Sequence, residues 1–497
     1  MSPQFFCAAS IVIFCGTGDL ASRKLIPALC RLHDTGLLAQ DFHVFVTGRA
    51  DMSTEAFLEH LMQREAILFK KDTRFANGFN GLKSRIRYLR ANPAMANEAE
   101  DFKNRLLAAE PQAAPARLFY LAVPPNSMQS FIRLIKPFSE ANDNIHCPER
   151  ILVEKPFGQN LKTAIELNQS LLEAFNEHQI LRIDHYLGKE AVQNILFMRF
   201  TNTFFEPLWN NRFIDNVQIT FSENIGIGGR AGYFEQSGIL RDVVQNHLLQ
   251  VLCMVAMEPP LSHKPGDLHL EKNKVLKALR RYRPEEVATE TIRAQYIAGE
   301  IEKNPVLGYL QENGVQPNSQ TETYAACRVF VDSWRWGGVP FYLQAGKRLD
   351  RNVTEIVVSF KPIPHSIFKD FGGKIEANRL HIRIQPNEGI ILKVNSKPPG
   401  MQLQVSDVGL KFSYDSEFGD YRPDAYERLL LDALNGDSAL FLSNSEIEES
   451  WKFIDPIIEA WQSSRQPMYT YKAGSIGPEE SASLLARSGH RWHRPVL

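Results

Sequence analysis

Three clusters in this sequence have the residue types and spacing that chemistry needs. The first is CGTGDLASRK from Cys15, where Gly16, Gly18 and Ala21 spell G-x-G-x-x-A directly after the apolar run Ile11 to Phe14. A strand turning sharply into a helix aims backbone N–H groups and the positive helix end at the turn. Glycines keep that space clear, so the pattern suits a dinucleotide pyrophosphate. The second, RIDHYLGKE at 182–190, crowds Asp184, His185, Tyr186 and Lys189 together. With a helical turn beginning near Asp184, His185 and Lys189 share a face and, with Tyr186, cradle a phosphate monoester. The third is RDVVQNHLLQ at 241–250, where His247 is the natural general base, since an unperturbed imidazole has its pKa near neutrality. Asp242 lies about 140° from it around a 3.6-residue helix. Asp184 is therefore the better orienting carboxylate, and Asp242 is left for substrate hydroxyls.

A fourth signal selects the nucleotide. VFVTGRAD at 44–51 ends a second strand with Arg49, where a carboxylate would hold a ribose hydroxyl and a cation a 2'-phosphate. With the Thr17 hydroxyl nearby, NADP is favoured and NAD stays an alternative acceptor. The same residues also allow structural readings: an ordinary glycine turn, an Arg49–Asp51 surface pair, a solvated turn around Lys189, and a buried His247 satisfied by a carbonyl.

Elements must position these groups. The runs at 11–15, 43–47, 118–123 and 150–155 are each followed by a helical pattern, which argues for βαβ units in a doubly wound parallel sheet. From about 320, AACRVFVDSW, VPFYLQAG, EIVVSFK, RLHIRIQP and GIILKVNS follow with turns between them, as in an antiparallel sheet. The stretch 238–257 reads as one long buried helix, and DAYERLLLDAL and EIEESWKFIDPIIEAW as two amphipathic ones. The fold class is α/β plus α+β: a Rossmann-type dinucleotide domain at 1–184, then a larger domain at 185–497 with a mainly antiparallel sheet and helices.

Composition sets outer limits. The chain has 497 residues, enough for two or three cores, and a net charge of -1 that gives no field for nucleic acid or membrane. Cysteines 7, 15, 30, 147, 253 and 327 are scattered without metal-ligand spacing, which suits a reduced cytoplasmic protein. The opening FFCAASIVIFC has no Lys or Arg before it and reads as a buried strand, not a signal-peptide core.

EKPFG at 154–158, RIDHYLGKE, RDVVQNHLLQ and the GTGDLA loop together resemble the glucose-6-phosphate dehydrogenase family, from the first strand to DAYERLLLDAL. The resemblance implies oxidation of a sugar phosphate at C1, the first step of the oxidative pentose phosphate pathway, with hydride passing to NADP and no metal required. It makes His247 the base and Asp184 its orienting partner. It assigns His185, Tyr186, Lys189 and Lys347 to the phosphate, Glu223 and Asp242 to sugar hydroxyls, and Arg351 to the substrate's vicinity. Lys155 stands beside sugar and nicotinamide, followed by Pro156 as a hinge with a cis bond. Gly16, Thr17, Gly18, Asp19, Leu20, Arg49, Tyr120, Ala122 and Val123 fall to the cofactor. A homodimer through the large sheet, or a dimer of dimers, is the implied assembly. The family writes glycine where Cys15 stands, so the turn is expected one residue later, at Gly16. Asn352 and Ile356 stand where some members carry basic residues for a second, structural NADP, and no such site is assigned. Glu-Lys-Pro also resembles sugar oxidoreductases of the glucose-fructose oxidoreductase type, and a non-catalytic sugar-phosphate sensor is the reading from another class.

Overall fold

A computed structural model describes residues 10–39, 41–95, 97–110, 117–139, 149–368, 374–419, 423–463 and 466–495. Cys7, Cys147 and the opening 5–9 lie outside the described residues. The chain divides into two compact units, one comprising Met1–Gly188, Ser262–His269 and Arg422–Ile447, the other Lys189–Leu261, Leu270–Tyr421 and Glu448–Leu497. The first unit therefore extends past Asp184 to Gly188 and takes back two later segments.

The first unit is built on a seven-stranded sheet in the order Phe441–Leu442, Ile180–Ile183, Arg150–Val153, Arg117–Leu121, Ser10–Phe14, His43–Gly48, Ile86–Arg90. All neighbours are parallel except the antiparallel edge Phe441–Leu442. Ser10–Phe14 (SIVIF) is buried throughout, as a central strand covered on both faces requires. Its successors in sequence lie on one side and the later strands on the other, so the topological switch point falls at its C-terminal end, where doubly wound sheets bind ligands. Ile86–Arg90, Ile180–Ile183 and Phe441–Leu442 were not anticipated. The first is an edge strand whose arginines interrupt the apolar run, the last only two residues long.

In the second unit a nine-stranded sheet runs Ser406–Ser413, Gly389–Ser396, Arg379–Gln385, Val353–Phe360, Ile214–Ser222, Pro340–Gly346, Tyr324–Phe330, Thr291–Ile297, Tyr469–Lys472. Two pairs are parallel, Ile214–Ser222 with Pro340–Gly346 and Thr291–Ile297 with Tyr469–Lys472; the rest are antiparallel. The sheet thus begins at 214, well before 320. IDNVQITFS escapes a hydrophobicity reading because polar residues alternate through it while most of it is buried.

The expected single helix at 238–257 is broken and widened. Gly238 adopts φ 62° and ψ 178°, ending Ala231–Ile239, and a π-helical stretch Leu240–Leu248 follows before the α-helix Leu249–Ala256. Ala425–Asn435 and Asn444–Gln462 form as the amphipathic patterns predict.

Candidate active site

The glycine loop follows the central strand of the first unit. Cys15, half-buried, takes a left-handed backbone at φ 54°, so the turn is made at Cys15 itself and is not displaced to Gly16. Gly16 donates its N–H to the Thr47 carbonyl at 2.8 Å, and a Cβ there would strike Val46 and the Ile13 carbonyl. Gly18 is exposed, with its N–H on the Cys15 carbonyl at 2.9 Å, and the helix begins at Asp19 with Leu20 half-buried in its first turn. Thr17 is half-buried, its methyl facing Gly48. Arg49 is exposed at the end of the second strand and close enough to lower the Cys15 thiol pKa, though burial outweighs it and the net shift is upward. Asp19 is bound by two arginines, Arg64 at 2.7 Å and Arg23 at 3.0 Å. Arg64 also donates to the Thr17 carbonyl at 3.3 Å. Nothing local in the sequence marks it, since it ends the separate helix Thr54–Arg64.

The strand Arg117–Leu121, the fourth in the chain, is followed by Ala122, half-buried, and Val123, buried. Tyr120 departs from the channel-lining expectation: its ring is fully buried and its hydroxyl donates to Glu154 at 2.6 Å.

The next two parallel strands, in register Val153 with Arg182, deliver Lys155 and Asp184 at their C-terminal ends. The Lys155–Pro156 bond is cis. Asp184 is 1% exposed, and its Oδ1 accepts the Tyr186 N–H at 2.9 Å. That side-chain bond competes with helix formation, and the segment is a tight turn with Leu187 N–H on the Asp184 carbonyl at 3.0 Å. The expected helical face of His185 and Lys189 is therefore absent: the helix is Glu190–Phe200, with Lys189 as its N-cap. His185 stacks beside Tyr426, and Tyr186 is buried.

In the second unit the parallel register Gly346 with Ser222 makes Glu223 and Lys347 neighbours at two strand ends. Lys347 Nζ donates to Glu223 Oε2 at 2.6 Å and sits 5.3 Å from the Phe234 ring centre. The π-helical stretch Leu240–Leu248 packs on these strands and carries Asp242 and a 2%-exposed His247. Its i→i+5 bonding puts more than 3.6 residues in each turn, so the 3.6-residue wheel does not apply and Asp242 and His247 lie closer around the axis than 140°. Asp242 Oδ1 accepts the Tyr233 hydroxyl at 3.3 Å, and burial together with that carboxylate pushes the Tyr233 pKa up. Lys189 Nζ donates to Gln385 Oε1 at 2.5 Å, at the end of Arg379–Gln385. Arg351 is held by Asp350 at 2.8 Å. Tyr233 and Gln385 lay outside every motif.

Residues 12–194 match the family model described as glucose-6-phosphate dehydrogenase, NAD binding domain, and residues 196–493 match that enzyme's C-terminal domain. The chain belongs to the glucose-6-phosphate dehydrogenase family. It is 43% identical over 492 residues to the glucose-6-phosphate 1-dehydrogenase of Treponema pallidum, covering 98% of this chain and 95% of that one. With the Rhizobium meliloti glucose-6-phosphate 1-dehydrogenase the identity is 42%, covering 98% and 97%. A solved glucose-6-phosphate dehydrogenase in complex with glucose-6-phosphate superposes with a TM-score of 0.87 at 35% identity, covering 99% and 100%. The glucose-6-phosphate 1-dehydrogenase of Mycobacterium avium does so with 0.82 at 33%, with the same coverage. As a family member the chain is an oxidoreductase with a dinucleotide-binding domain for a nicotinamide cofactor. Its loop fits that group: Gly18 is exposed at a helix N-terminus with little but the Cys15 carbonyl near its Cβ position, and Arg49 stands at the neighbouring strand end. Among the described residues, no helix is long and apolar enough to cross a membrane.

Proposed function

We propose that this chain oxidises glucose 6-phosphate at C1 to the lactone, with NADP as the acceptor and His247 as the base. The observation that carries the reading is in the second unit, where a buried histidine lies on a π-helical stretch packed on the two parallel strands whose ends carry a lysine–glutamate pair. His247 takes the proton from the C1 hydroxyl, which needs a base near neutral pKa. Asp184, fixed by the Tyr186 N–H, orients His247 and stabilises the imidazolium. Asp242 and Glu223 hold sugar hydroxyls. His185, Tyr186, Lys189 and Lys347 bind the phosphate with Arg351 near it, and binding energy from that remote group holds C1 in place. When bound, NADP supplies the hydride acceptor. Gly16, Thr17, Gly18, Asp19 and Leu20 receive its pyrophosphate end, with Ala122, Val123 and Lys155 nearer the reacting end. The cation Arg49 at the second strand end supports NADP over NAD.

The first unit serves as the NADP-binding domain and the second as the substrate-binding and dimerisation domain. Exposed Val408 and Leu410 on the edge strand Ser406–Ser413 support a homodimer through this sheet. Free thiols at Cys15, Cys30, Cys253 and Cys327 support a cytoplasmic setting.

Initial rates with glucose 6-phosphate, followed by nicotinamide absorbance with NADP and NAD in parallel, test the proposal. Reduction with NADP preferred is expected, and no reduction with either would overturn the substrate assignment. His247→Asn is expected to lower kcat by about 100-fold or more while glucose 6-phosphate still binds. Binding lost together with turnover would remove the base assignment.

A further inference from the structure

His185 has a supporting arrangement that these roles leave unused. Glu154 follows the strand Arg150–Val153 and immediately precedes Lys155. Its Oε1 accepts two phenols, Tyr120 at 2.6 Å and Tyr426 at 3.3 Å. The residue keeps some exposed surface, yet burial of the carboxyl raises its pKa, against the lowering effects of both phenols and of Lys155. A desolvated carboxylate held this way is costly to leave without its donors.

Tyr426 stands in the first turn of Ala425–Asn435, its N–H on Asp424 Oδ1 at 2.9 Å, so the root of the ring is fixed. The ring runs almost parallel to the His185 imidazole, at 8° with centroids 6.2 Å apart, an offset stack. The turn carrying His185 packs on the same helix: a Cβ on Gly188 would come within 2.7 Å of the Ala425 carbonyl. One carboxylate oxygen therefore ties the strand end beside Lys155 to the ring that flanks His185.

We propose that Glu154, acting through Tyr426, is a positioning residue that holds the His185 imidazole ready for the substrate phosphate. The inference rests on the reading of His185 as a phosphate ligand. Removing the tie frees the Tyr426 ring to rotate, and His185 then pays ordering entropy when the phosphate arrives.

The test is calorimetric binding of glucose 6-phosphate to the full-length chain as wild type, Tyr426→Phe, Glu154→Ala, Glu154→Gln and the double variant Glu154→Ala with Tyr426→Phe, with NADP affinity measured on each. Tyr426→Phe and Glu154→Ala are each expected to weaken glucose 6-phosphate binding about tenfold. The double variant is expected to be no weaker than Glu154→Ala, because both changes cut one tie. Glu154→Gln, whose carbonyl oxygen still accepts the phenols, is expected to stay within about threefold of wild type. NADP affinity is expected to hold throughout. Tyr426→Phe, which deletes a single oxygen, carries the test if Glu154→Ala does not fold. Unchanged glucose 6-phosphate affinity in Tyr426→Phe, additive losses in the double variant, or parallel loss of NADP affinity would each overturn the inference. A wild type that binds no glucose 6-phosphate would overturn the substrate reading and this inference with it, whereas an unchanged variant-to-wild-type ratio overturns the inference alone.

Discussion

Cys15 holds a left-handed backbone at φ 54° in the glycine loop after the strand Ser10–Phe14, a conformation that costs a β-carbon-bearing residue about 1–2 kcal/mol. Glycine relieves that strain but adds about 0.4–1 kcal/mol of unfolded-state entropy. Cys15→Gly is therefore expected to raise stability by about 0.5–1 kcal/mol, seen as a higher thermal midpoint, and to bind NADP at least as tightly. A lower midpoint would mean that thiol packing outweighs the strain. At this scale the sequence was most legible where chemistry follows the chain. The glycine loop follows a strand that its own apolar run marks, so strand, turn and polar residue could be read together, whereas at RIDHY the polar residues were legible but neither the strand Ile180–Ile183 nor the tight turn was. Arg64, Gln385, Tyr233 and Tyr426 were invisible because each meets its partner through the fold; Tyr426 and Glu154, for instance, are 272 positions apart.

The element that carries His247 depends on how it starts. Gly238, at φ 62° and ψ 178°, occupies a region essentially closed to other residues, and a Cβ there would collide with the Glu322 carboxylate. That carboxylate accepts the Leu240 N–H at 3.1 Å, and the Glu322 carbonyl accepts the Ile239 N–H at 3.0 Å, so the buried Glu322 caps the stretch from which Asp242 and His247 project. Gly238→Ala combines backbone strain with a lost cap and is expected to cost about 3 kcal/mol. Thermal unfolding and kcat measured together check this, with kcat down at least tenfold in the folded fraction. Wild-type values for both would show that the helix start tolerates a side chain. The sequence pattern found this helix but not its pitch. A run as apolar as LLQVLCMVAM reads as a buried helix at any spacing, and nothing in residues 240–248 distinguishes i→i+5 bonding from i→i+4. The angular argument that separated Asp242 from His247 failed on that assumption alone.

At the scale of the whole molecule the alternating strand and helix rhythm revealed the first unit, while the return of Ser262–His269 and Arg422–Ile447 to it left no mark on a linear reading. The stretch 489–495 is similar: it shows no pattern, yet it is strapped across the second unit's sheet. His490 Nε2 lies 3.0 Å from Asp215 and its Nδ1 2.9 Å from the Tyr342 hydroxyl. Gln218 accepts the His493 N–H at 2.9 Å and donates to the Arg491 carbonyl at 2.9 Å, while His493 Nε2 lies 3.2 Å from the Ser359 hydroxyl. Burial lowers the His493 pKa to about 4, with Arg379, His381 and Arg491 adding to the shift and Glu376 opposing it. Above its ordinary value of 6.5 the imidazole is neutral in folded and unfolded chains, so its contribution is complete. Between 6.5 and about 4 the unfolded chain takes up a proton that the folded one refuses, and stability falls as pH falls. Asp215, held low chiefly by its bond from His490, acts in the same direction at still lower pH. Discounted for the partial exposure of His493, the loss from pH 7.5 to 5 is expected to be about 1 kcal/mol. Thermal unfolding at the two pH values should show His493→Asn losing less than the wild type. Equal losses in the two proteins would mean that the strap does not sense the proton.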